Sequence, residues 1–69
     1  MTPTMLRQLW SLIENTHSQV LLRLDDTSLV HLLIKQLENR NHLDGREADI
    51  LTDYLYSKIS LIRDLAQQR

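Results

Sequence analysis

Residues 48–66 read ADILTDYLYSKISLIRDLA, and this stretch decides the fold. At about 100° per residue, the angular step of an α-helix, its apolar positions fall on one side. Ile50, Leu51, Tyr54, Leu55, Ile59, Leu61, Ile62, Leu65 and Ala66, with Lys58 among them, sweep roughly half the circumference. A helix on the surface of a globular domain needs an apolar arc only a little wider than roughly 100°. The extra width predicts a helix with two obligations, one to its own core and one to a neighbour.

The start of this helix is marked in the sequence. Asp44-Gly45-Arg46-Glu47 has the spacing of a capping box, with Asp44 in place of serine or threonine. Leu43 and Ala48 stand where the two halves of a hydrophobic staple belong. A helix over about 44–67 follows. Upstream, Asp25 or Asp26 caps a second helix running to about residue 39, its carboxylates favourable at the positive end of the helix dipole. Leu29, Val30, Leu32, Leu33, Ile34 and Leu37 cover a broad side of that helix, and His31, Lys35 and Glu38 share the opposite strip. Asn39-Arg40-Asn41-His42 is a polar connector.

Thr2-Pro3 reads as the start of a first helix over about 3–16, with Leu6, Leu9, Trp10 and Ile13 at helical spacing. Asn15-Thr16-His17-Ser18 are four weak helix formers in a row and predict a break or kink. Ile13, His17, Val20 and Leu24 nevertheless keep one phase, so a single bent helix is the alternative. Val20-Leu21-Leu22-Arg23-Leu24 is too short for its period to be read; with no second strand candidate, a short helical turn over 18–23 is expected. The fold expected is all-α: a small three-helix domain, a helical hairpin with the N-terminal helix packed across it, that dimerises.

Composition bounds the rest. The 69 residues allow one domain, over 1–69, and a chain this short is marginally stable without some staple. Cysteine is absent, which excludes disulfides and thiolate metal centres. Regular helix packing or oligomerisation is left. Leucine supplies 15 residues, phenylalanine none, and glycine and proline one each, the composition of helices joined by short turns. A net charge of −1, with both signs interspersed, gives no general attraction to nucleic acid or anionic lipid. The longest apolar runs are three residues, too short for a membrane span, and no secretion signal is legible, so a cytoplasmic location is expected.

Catalytic and ligand chemistry is not written in this sequence. His17, His31 and His42 lie in separate segments, none paired with another at the spacing of metal ligands, and no metal or cofactor is expected. Asp25 and Asp26 have a capping role, while Asp49 and Asp53 fall on the polar side of the last helix. The single glycine, Gly45, belongs to the capping turn and makes no phosphate loop. No enzymatic activity is expected. The candidate site is an interface built from Trp10, Ile50, Tyr54, Lys58, Leu61 and Leu65. Trp10 is a core anchor or an interface anchor. Lys58 breaks the apolar rule of its arc; either its stem packs while the ammonium reaches water, or it meets a carboxylate of a second subunit and fixes register.

The string Leu43-Asp44-Gly45-Arg46-Glu47-Ala48-Asp49-Ile50-Leu51 resembles the opening of the LuxR-type helix-turn-helix, Leu-Thr-x-Arg-Glu-x-x-Ile-Leu. That resemblance implies a DNA-binding regulator, with Arg40, Arg46 and Arg63 as phosphate contacts. The sequence departs from the family downstream, where no turn and basic reading helix follow. The same stretch is similar to C-terminal docking helices of modular polyketide synthases, which implies a partner helix. The whole chain also resembles small uncharacterised helical proteins of cyanobacteria, a likeness that implies no function. The reading that follows from the residues is a non-catalytic protein–protein interaction module, a homodimer or an accessory subunit of a larger protein. The alternative is the helix-turn-helix regulator.

Overall fold

The computed structural model describes residues 3–68. All secondary structure among them is helical: α1 (Pro3–Asn15), α2 (Ser18–Arg23), α3 (Asp26–Arg40) and α4 (Gly45–Gln67). The count is four where the sequence led us to expect three. The helical turn expected over 18–23 is a helix in its own right, Ser18–Arg23, packed on α4. The expected cap at Thr2 lies outside the described residues.

Each boundary has a local cause. At the end of α1 the Thr16 hydroxyl donates to the Leu12 carbonyl at 2.8 Å, and the Thr16 amide donates to the Ile13 carbonyl at 3.2 Å. A hydroxyl turned back onto the preceding turn competes with helix continuation. His17 then adopts an extended backbone and offers no side-chain cap to α2, so the chain breaks between Asn15 and Ser18 instead of bending through. Asp25 caps α3, its carboxylate accepting from the Ser28 amide at 3.1 Å. Asp44 caps α4 in the same way, accepting from the Glu47 amide at 2.8 Å.

The core is aliphatic throughout. Leu9, Leu12 and Ile13 of α1, Leu21 of α2, Leu29, Val30, Leu33, Ile34 and Leu37 of α3, and Leu51, Leu55, Ile62 and Ala66 of α4 are buried. No polar or charged residue is buried among the described residues. Trp10, Leu24, Leu43, Tyr54 and Ile59 close the edges of this cluster. Helix α3 packs against both α1 and α4, while α2 rests on α4. The molecule measures 31 × 20 × 19 Å. No described helix is long and apolar enough to cross a membrane.

Candidate functional site

Helix α4 carries two apolar stripes. The inner one, Leu51, Leu55, Ile62 and Ala66, is buried in the core. The outer one lies roughly a quarter-turn away and consists of Ile50, Tyr54, Leu61 and Leu65, with Lys58 at its edge, as the angular step of the helix requires. Ile50 is 44% exposed, Leu61 46% and Leu65 42%. These three aliphatic side chains face away from the core along one line of one helix. Burial of such a side chain is worth about 1.5–3 kcal/mol, so each leaves roughly 1 kcal/mol unused in the single chain.

The other three sequence-derived candidates sit beside this line and are half-buried. The Trp10 indole N–H donates to the Tyr54 hydroxyl at 3.0 Å, bridging α1 to α4. Trp10 therefore closes the seam between the two helices, and its polar edge is satisfied there, as a largely buried indole requires. The Lys58 ammonium lies 6.0 Å from the centroid of the Tyr54 ring, at the outer limit of a cation–π contact. Among the described residues no carboxylate lies within ion-pair distance of Lys58. Trp10, Tyr54 and Lys58 thus form a continuous row, and Ile50, Leu61 and Leu65 border it on the solvent side.

Arg63 has a part that the sequence did not reveal. From α4 its guanidinium donates to the Leu21 carbonyl at 2.8 Å and to the Leu24 carbonyl at 2.7 Å. It also donates to the Asp26 carboxylate at 2.9 Å. One planar fork with five N–H groups thus covers the carbonyl end of α2 and the first turn of α3 together. Carbonyls at a helix C-terminus lack partners within the helix, and a cation is favourable there. Nearby, the Tyr56 hydroxyl and the Thr27 hydroxyl lie 3.4 Å apart, a second and weaker tie between α4 and the start of α3. Arg63 is thereby committed within the chain. Arg46 lies in the first turn of α4, seventeen residues away, or about 25 Å along the axis. The arginines considered for phosphate contact do not form one patch.

The polar candidates do not converge either. His17, His31 and His42 are exposed, and no cluster of histidine and carboxylate residues able to hold a metal ion occurs among the described residues. An open groove of about 290 Å³ between α3 and α4 is lined by His31, Lys35, Glu38 and Tyr56. The Asp25 carboxyl is lowered from its ordinary value by the Ser28 hydroxyl and the Ser28 amide that it caps. That displacement belongs to helix capping. No family model, curated protein or solved structure matches this chain.

Proposed function

We propose that the protein is a non-catalytic interaction module that docks through the outer stripe of α4, as a homodimer or as an accessory subunit of a larger protein. The observation that carries this reading is the alignment of Ile50, Leu61 and Leu65, each more than two-fifths exposed, along one helix face. Scattered exposed aliphatics need no explanation, but a line of them on one rigid helix is the anchor pattern by which helices recognise helices. Trp10 and Tyr54 extend the line with two aromatic rings of the kind that supply binding energy at interface centres. The stripe is set on the longest helix of the fold, whose opposite face is fixed by the core, so a partner would meet a preformed surface.

The test is a triple variant, Ile50→Gln, Leu61→Gln and Leu65→Gln, compared with the wild-type chain. Solution mass by sedimentation equilibrium and the proteins retained by the tagged chain are the measurements. The wild-type chain is expected in a complex that the variant loses while keeping its helical circular dichroism. A wild-type chain that stays monomeric and retains no other protein, or a variant that keeps the complex, would overturn the reading.

A further inference from the structure

Helix α2 is held to the molecule differently from its neighbours. Its one buried residue is Leu21, against three in α1, five in α3 and four in α4. Its N-terminus has no side-chain cap, whereas Asp25 and Asp44 cap α3 and α4. At its C-terminus the Leu24 amide reaches the Val20 carbonyl only at 3.4 Å. Isolated helices shorter than about 12–15 residues are marginal in water, so the six residues of α2 do not hold themselves. The Arg63 guanidinium supplies what is missing, with bonds to the Leu21 and Leu24 carbonyls at 2.8 and 2.7 Å and to the Asp26 carboxylate at 2.9 Å. On either side of α2 the backbone is extended, with φ −60° and ψ 137° at His17 and φ −72° and ψ 145° at Leu24. Such residues at the ends of an element are where a hinge absorbs its rotation, so α2 is free to leave without unwinding α1 or α3.

The other three helices have contacts of their own. Helix α1 packs directly on α3 and α3 on α4, and the bond from Trp10 to Tyr54 ties α1 to α4 at 3.0 Å. Every buried core residue except Leu21 belongs to these three helices. The connection over 16–25 gains reach when it unwinds, from about 1.5 Å per residue in a helix to about 3.3 Å extended, so α1 stays docked without it. We propose that α2 is a strap latched by Arg63, whose release lets residues 16–25 open as a unit while α1, α3 and α4 remain packed. Because α2 rests on α4 and Leu21 is wholly buried there, opening bares an apolar slot on the inner side of α4. The closed strap keeps that slot from water.

The strap does not depend on what the outer stripe of α4 binds. Amide hydrogen exchange of the full chain, followed by NMR through low urea concentrations, tests it. In the wild-type chain the Leu21 and Leu24 amides, bonded to the His17 and Val20 carbonyls, should exchange at least about tenfold faster than those of Leu33, Leu37 and Leu55. Their urea dependence should be less than half as steep, roughly, because little surface opens with the strap. Arg63→Ala should speed exchange at Leu21 and Leu24 by at least about thirtyfold. It should speed the core amides by a similar factor, since global unfolding breaks the latch as well. Arg63→Lys keeps the charge without the fork and should act in the same direction to a smaller extent, which keeps the test open if the alanine variant does not fold. Equal rates and equal urea slopes for α2 and the core in the wild-type chain would overturn the strap as a separate unit. Exchange at Leu21 and Leu24 that neither variant accelerates would overturn Arg63 as its latch.

Discussion

At the scale of single residues, Arg63 carries more of the structure than any other polar side chain described. Its guanidinium serves the Leu21 and Leu24 carbonyls and the Asp26 carboxylate together. Removing it leaves partly buried carbonyls without a donor, so Arg63→Ala should cost about 2–3 kcal/mol in urea denaturation. Arg63→Lys should recover less than half of that, because a single ammonium on a flexible stem cannot span three acceptors in fixed directions. Asp25 makes a prediction of a different kind. Its carboxyl titrates below the ordinary value of 3.8, chiefly through the Ser28 hydroxyl and then the Ser28 amide. A depressed folded-state value means that the ionised carboxylate stabilises the fold above the ordinary value and loses that contribution as pH falls through the folded value. Asparagine caps without titrating. The stability difference between the wild-type chain and Asp25→Asn should therefore be constant near neutrality and move against the wild-type chain in acid, as thermal unfolding across a pH series would show.

At the scale of elements, the caps were legible and the corner was not. Asp44 and Glu47 are three residues apart, and the local spacing alone sets the start of α4. The return bond that would complete the box, from the Asp44 amide to the Glu47 side chain, does not form, so one capping bond sets this boundary. Gly45 follows that cap with a negative φ and nothing within 4 Å of where a Cβ would stand. Gly45→Ala should consequently stabilise the protein by about 0.4–1 kcal/mol, measured by thermal unfolding, by restricting the unfolded chain. Helix α2 was expected over 18–23 as a short helical turn, but what holds it was not legible, for a physical reason. Six residues cover less than two turns, too few for a period to show, and an isolated helix of that length is not stable in water. What holds it is Arg63, about forty residues later in the chain. That separation leaves no trace in a local pattern. Arg63 stood out in the sequence only as one basic residue of several, and nothing in its neighbourhood marked it as a cap for another helix. The bond from Trp10 to Tyr54 escaped for the same reason, although both residues were singled out from the sequence.

At the scale of the whole molecule, α4 divides its aliphatic residues between an interior and an outer surface, and the two sets should answer differently to truncation. Leu55 is wholly buried, and Leu55→Ala should cost about 2–5 kcal/mol, enough to unfold much of so small a domain. Leu61→Ala should change the stability of the isolated chain by less than about 1 kcal/mol while weakening association. Urea denaturation at low protein concentration, set beside sedimentation, separates these effects. Equal costs for both substitutions would mean that the two faces of α4 had been assigned wrongly. The width of the apolar arc and its outer set, Ile50, Leu61 and Leu65, were visible from the sequence, but the tie of Tyr54 to Trp10 was not, because that depends on where α1 settles. The Arg63 clamp also governs the order in which the chain can mature. The α2–α3 corner cannot be sealed until the last third of α4 has docked, so the corner closes late, behind a segment about forty residues downstream. Anything that delays docking of the C-terminal segment leaves the leucines of the unfinished corner exposed to chaperones and proteases.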